Sequence, residues 1–162
     1  MHKNLLATAL LCLATTTPTV AASSYTGALA APVNAWVNAF NSGQAAFPVT
    51  AFTDDCMVID EFPPFSWGSD RENVRSWYAD VVGSNDPKRR AQFLAEKEHL
   101  VLDAPTYVRA NATDANVTFP ATYTYTSMGK LHTQRALFTV VERNTPKGWR
   151  INANAWAIST DD

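Results

Sequence analysis

Val117-Thr118-Phe119-Pro120-Ala121-Thr122-Tyr123-Thr124-Tyr125-Thr126 alternates apolar and polar positions over ten residues. Side chains of a strand point to opposite faces with a period of two, so this segment carries one apolar face and one threonine-rich face. Ser127-Met128-Gly129-Lys130 follows as a hairpin turn. A second strand over residues 131–143 then turns at Asn144-Thr145-Pro146-Lys147-Gly148 into a last strand over residues 149–158. From about Gln92 onward the chain reads as a meander of long antiparallel strands.

Working toward the N-terminus, the periodicity changes from two to 3.6. Val33, Trp36, Val37 and Phe40 fall on one helical stripe between Pro32, suited to a first turn, and Gly43, suited to a stop. Residues 45–52 have room for a short helical turn, confined by Pro48. Ser69-Asp70-Arg71-Glu72 has the form of a capping box with Ser69 as the cap. The helix behind it presents Val74, Trp77, Tyr78, Val81 and Val82 on one face and stops at Gly83. Asn85-Asp86-Pro87 reads as a loop signal, with Lys88-Arg89-Arg90 solvated beside it. Helices at the front and antiparallel strands at the back predict an α+β domain, in which about three N-terminal helices cover one face of a curved antiparallel sheet.

The first residues carry a different message. His2 and Lys3 precede an almost unbroken apolar run over residues 5–13, and Val20-Ala21-Ala22-Ser23 supplies small residues. This pattern describes a secretory signal peptide cleaved near Ala22, so residues 1–22 are read as a leader and 23–162 as a single domain. The expected localisation is periplasmic or secreted. The apolar run is too short to span a bilayer, and no membrane role is expected after cleavage. Removing 22 of 162 residues leaves 140, enough to bury a core. Cys56 is then the sole cysteine, so no intrachain disulfide is available and packing must supply stability. The formal charge of -2 is spread over both signs, which argues against a nucleic-acid-binding surface.

The order of elements and several local motifs resemble the nuclear transport factor 2-like superfamily, and within it the SnoaL-like proteins. The matching residues are Ala39-Phe40-Asn41-Ser42-Gly43, Phe52-Thr53-Asp54-Asp55, Met57-Val58-Ile59-Asp60, Gly68 before the third helical segment, and Gly148-Trp149-Arg150-Ile151. The resemblance implies a cone-shaped domain whose open mouth admits a small, mostly apolar molecule, and a homodimer through the sheet. It does not imply one activity, because this fold hosts isomerases, cyclases, dehydratases, carriers and assembly modules. Similarity to ketosteroid isomerases places Asp60 where that family has its general base. Their oxyanion partners are absent: Trp36 stands where a phenol is expected, and no acid lies around Phe138 and Thr139.

Residue chemistry points to the same segment. Asp54-Asp55-Cys56-Met57-Val58-Ile59-Asp60-Glu61-Phe62-Pro63-Pro64-Phe65-Ser66-Trp67-Gly68 runs an apolar strand into two carboxylates enclosed by aromatic rings and prolines. An acid in such surroundings has its pKa raised toward the range useful for proton transfer. Asp60 is the leading catalytic candidate, against a role as a turn acceptor; Glu61 would point to the other face. His99 is the candidate proton partner, expected to share a strand face with Phe93, Ala95 and Val101. His132 is a weaker candidate on the same reasoning.

Trp36, Trp67, Trp77, Tyr78, Tyr123, Tyr125, Asn154 and Trp156 are the candidate ligand contacts, with core packing as the alternative for each ring. No metal-ligand spacing, phosphate loop or nucleophile elbow appears, so neither a metal nor another cofactor is expected. The expected partner is a small apolar or aromatic molecule. Three functions remain open: an exported binding domain with an apolar pocket, an acid–base enzyme of isomerase, cyclase or dehydratase type using Asp60, or a non-catalytic dimerisation module.

Overall fold

The computed structural model describes residues 24–161, so the leader expected over residues 1–22 lies outside the described residues. The chain runs through helix α1 (Ala31–Asn41), a 3-10 turn (Val49–Ala51), strands β1 (Phe52–Ile59) and β2 (Ser66–Trp67), and helices α2 (Arg71–Val82) and α3 (Pro87–Glu96). Strands β3 (His99–Leu102), β4 (Tyr107–Ala110), β5 (Asp114–Ser127), β6 (Lys130–Thr145) and β7 (Gly148–Asp161) follow. The seven strands form one curled, open sheet in the order β2-β1-β7-β6-β5-β3, with β4 also paired to β5. Three helices over this sheet give the expected α+β cone.

Three local expectations are corrected. The sheet is mixed, because β1 pairs with β7 in parallel, Val58 opposite Asn154. Residues 60–147 separate these two strands, so no tight hairpin dictates their direction. The cap of α2 is Asp70, whose Oδ1 accepts from Asn73 N at 2.9 Å, and not Ser69. A carboxylate is an equally good cap, and one step along the chain moves Glu72 out of the box position. Residues 85–96 are not loop followed by strand: Asp86 caps α3 by accepting from Lys88 N at 2.8 Å, and Pro87 opens it. Phe93 is therefore a helical residue, buried and set edge-on to Phe40 at 5.3 Å.

The β5–β6 turn has positive φ at both Met128 and Gly129, the backbone handedness that matches the twist of a two-residue hairpin. On β5, Val117, Phe119 and Ala121 are buried against the helices, while Thr118 Oγ1 meets Thr139 Oγ1 across the other face at 3.1 Å. The core joins Val33, Trp36 and Phe40 of α1 with Val74, Trp77 and Val82 of α2 over Val117, Phe138, Val140 and Ile151 of the sheet. Each such aliphatic or aromatic side chain contributes roughly 1.5–3 kcal/mol when fully buried.

Two side chains lock the helices to the cone. Asn41, at the end of α1, donates to Leu100 O and accepts from Leu100 N, both at 2.8 Å, so one amide completes the edge of β3. Arg90 of α3 donates to Val82 O at 3.2 Å and to Gly43 O, joining the ends of all three helices. Gly83 has φ +70, and a Cβ there would lie 2.2 Å from Arg90 N, so only glycine permits this crossing. Gly68 allows the approach of β2 to β1, since its Cβ would sit 2.9 Å from that of Met57.

Candidate ligand cavity

Where β1 ends, helices and sheet diverge and leave a cavity of about 260 Å³. Its apolar walls come from Trp36 and Phe40 of α1, Trp77 and Val81 of α2, and Phe138 and Trp156 of the sheet. The rings are mutually fixed. Trp36 stacks on Phe138 with centroids 5.0 Å apart and planes at 9°, and on Trp77 at 6.4 Å and 20°. Offset aromatic stacks of this kind add about 0.5–1.5 kcal/mol each beyond their buried area.

Asp60 stands at the edge of this aromatic wall. Its Oδ2 accepts from Trp77 Nε1 at 2.7 Å and its Oδ1 from Glu61 N at 2.7 Å. Burial pushes the Asp60 carboxyl above the usual carboxylate range, and the two donors only partly offset that rise. The arrangement suits a group that exchanges a proton with a molecule in the cavity, since a raised pKa brings the acid nearer to neutral operating conditions.

A second polar group lines the cavity. Glu98, 5% exposed, accepts from Arg89 Nη1 at 2.6 Å and from the Tyr123 hydroxyl. Burial, then the Glu98 carboxylate, hold the Tyr123 phenol well above its ordinary pKa, so it stays protonated and donates to Glu98. Gln134, also buried, reaches Glu61 Oε1 from the sheet at 3.4 Å.

Six of the residues expected from sequence meet in this space: Asp60, Trp36, Trp77, Tyr123, Asn154 and Trp156. Four do not line it. His99 is exposed, because α3 runs to Glu96 and Lys97 turns the chain with φ +53, which puts Glu98 and Leu100 inward and His99 outward. The expected strand face shared with Phe93 and Ala95 does not exist. Tyr78 is buried next to Trp77 on α2 but donates to Gln44 O at 2.8 Å. Tyr125 stacks on His132 at 4.9 Å and 11°, beyond the cavity. Trp67 packs behind the wall, 5.1 Å from Phe62, a lining residue.

Arg89, Glu98, Gln134 and Phe138 were missed. The first two depended on α3, for which the Asp86-Pro87 cap was the available signal; Gln134 carried none. Cys56 is fully buried, and its thiol is pushed up to about 11 by burial. Among the described residues, no group of three or more His, Cys, Asp or Glu side chains is placed to hold a metal ion.

No family model matches the chain, and no curated protein matches it. Solved structures do. A nuclear transport factor 2-like protein with a cystatin-like fold from Novosphingobium aromaticivorans is 16% identical with TM-score 0.62, over 80% of this chain and 78% of that one. A nuclear transport factor 2-like superfamily protein from Salmonella enterica serovar Typhimurium is 16% identical with TM-score 0.61, over 80% and 87%. A ketosteroid isomerase-like protein from Erwinia carotovora atroseptica is 14% identical with TM-score 0.62, over 85% and 98%. At these identities the likeness shows the fold: this chain has the nuclear transport factor 2-like architecture.

Proposed function

We propose that this protein is an exported domain that binds a small, mostly apolar molecule in the cavity between its helices and sheet. The observation that carries the reading is the cavity itself, walled by Trp36, Phe40, Trp77, Phe138 and Trp156 with only a few polar groups facing it. Ligand sites are typically apolar hollows with a small number of placed polar side chains. An assembly module does not require such a hollow. Native mass spectrometry of protein purified from its own host tests the proposal: a retained small molecule is the expected result. Protein that stays empty and binds no apolar aromatic probe is the contrary one. Export is tested by sequencing the mature N-terminus, expected near Ser23.

One observation favours turnover in addition to binding. Asp60 combines a raised pKa with a position on the cavity wall, fixed by Trp77. Under this reading Asp60 removes a proton from carbon in the bound molecule and delivers it either to another carbon, an isomerase type of chemistry, or to a departing hydroxyl that leaves as water, a dehydratase type. His99 is not the second group, since it faces away. The solved ketosteroid isomerase-like structure shares the fold.

A further inference from the structure

The hydrogen bonds along the cavity wall run toward its carboxylates. Trp77 donates to Asp60, Gln134 to Glu61, and Arg89 and Tyr123 both to Glu98. Each of these donors is thus committed to an acid of the same wall. Trp36 Nε1 and Asn154 Nδ2 also belong to lining residues, but both nitrogens are closed off from the hollow. What the acids offer a ligand is lone pairs, since an ionised carboxylate only accepts. A molecule held to them by hydrogen bonds must bring the protons.

Charge gives a second restriction. Asp60, Glu61 and Glu98 are acidic and Arg89 is the one cation among the lining residues, so the wall is net negative when Asp60 is ionised. Arg89 is held by Glu98 at 2.6 Å, and among the described residues no lysine, arginine or histidine pairs with Asp60. The Asp60 carboxyl therefore sits in a partly desolvated place with two neutral donors and no counter-ion. A cation in the hollow would offset the penalty of burying that charge, whereas an anion would be repelled. The aromatic wall, with Phe62, Trp77, Tyr123 and Trp156 around the acid, also suits a cation, which is attracted to the faces of such rings. Size narrows the ligand further. About 260 Å³ falls just below the roughly 300–1,000 Å³ of most ligand sites, which fits one or two rings.

We infer that the ligand is a small one- or two-ring amine bound as its ammonium ion, with Asp60 as the counter-ion. This deepens the reading proposed above and rests on the cavity being a binding site. The ion pair fixes the nitrogen at the end of β1 while the ring system lies among the aromatic side chains. A hydrocarbon of the same shape fills the space and leaves the carboxylate without a partner, which forfeits affinity.

The test uses three probes of one skeleton: 1-aminotetralin, 1-methyltetralin and tetralin-1-carboxylate, with affinities measured by calorimetry at neutral pH on the wild type and on Asp60→Asn. The expected result is the amine binding about tenfold or more tighter than 1-methyltetralin, with the carboxylate weakest. Asp60→Asn should cut the amine-to-hydrocarbon preference about tenfold, and binding of 1-methyltetralin to the variant shows that its cavity is formed. Carbon-detected NMR of the wild type supplies a readout that needs no variant. The Asp60 pKa should fall when the amine is bound and not when 1-methyltetralin is. Equal affinity for amine and hydrocarbon would overturn the cation assignment and leave the cavity reading standing. An amine preference that survives Asp60→Asn, with an unmoved Asp60 pKa, would overturn the counter-ion role. Tightest binding of the carboxylate would overturn the sign of the ligand's charge. Failure of all three probes to bind would remove the cavity reading and this inference with it.

Discussion

Trp77 Nε1 donates to Asp60 Oδ2 at 2.7 Å, fastening the end of β1 to the middle of α2. The bond acts on the carboxyl in one direction and burial in the other, with burial prevailing. Trp77→Phe keeps an aromatic ring and removes the donor. The Asp60 pKa should therefore rise further, as read by carbon-detected NMR titration of the carboxyl. A fall would show that the indole does not support the ionised form.

The acid–base reading makes a kinetic prediction. A base on the cavity wall exchanges the protons next to the carbonyl of a ketone that enters it, so the protein should speed deuterium uptake by a small apolar probe ketone, 1-tetralone, in heavy water. Asp60→Asn retains an acceptor for Trp77 and cannot take a proton, and should slow the catalysed exchange by about 10²–10⁴-fold. Proton NMR follows the exchange directly. Undiminished exchange in a folded Asp60→Asn variant would take Asp60 out of the chemistry.

Asn41 holds β3 by two hydrogen bonds to Leu100, both at 2.8 Å. Asn41→Leu strips both and leaves the Leu100 N–H and C=O to find other partners. A loss of about 2–3 kcal/mol in urea unfolding is expected, near one per bond plus part of the desolvation penalty. Ligand affinity should fall as well, because Leu100 of β3 and Glu98, one residue before that strand, both line the cavity. A variant that unfolds at the wild-type urea concentration would show that β3 is held by other means.

What the sequence revealed followed from periodicity. Alternation over residues 117–126 and the stripe of Val74, Trp77 and Tyr78 are signals repeated over many positions, so both elements formed as read. Asp60 was legible because its neighbours on both sides are apolar or aromatic. Elements decided by one or two residues were harder. Asp86-Pro87 is as good a helix start as a turn, and the amphipathic signal behind it is short, with Phe93 its one buried side chain. Misplacing that helix shifted the strand parity by one step. That exchanged Glu98 for His99 as the inward residue, since a one-residue slip sends every side chain to the other face. The parallel pairing of β1 with β7 has no local signal at all.

Arg89 and Glu98 form an unequal pair, with side chains 29% and 2% exposed. Arg89→Met strands a carboxylate in the interior and should cost roughly 3–5 kcal/mol. Glu98→Gln should cost less, because Arg89 reaches water and the amide still accepts from Tyr123. Chemical denaturation of the two variants at neutral pH gives the comparison. The opposite order would mean that the guanidinium is the more deeply held partner.

Glu142 on β6 is fully buried; Tyr25 donates to its Oε1 at 3.2 Å, and among the described residues nothing donates to Oε2. Burial pushes its pKa up to about 8 from an ordinary 4.5, against the opposing bond from Tyr25. The folded protein thus holds a proton that the unfolded chain releases between these two values. Stability contributed by this group is complete below about 4.5 and declines as pH rises toward about 8. The slope approaches 1.4 kcal/mol per pH unit within that window, a loss on the order of several kcal/mol in all. Glu142→Gln keeps the shape and removes the titration. Its Tm should match or slightly trail the wild type at pH 5 and exceed it clearly at pH 8.5, in paired thermal melts. A variant less stable than the wild type at both pH values would mean that Glu142 is stabilised as the carboxylate, and that the buried end of the cone supplies a charge partner to it.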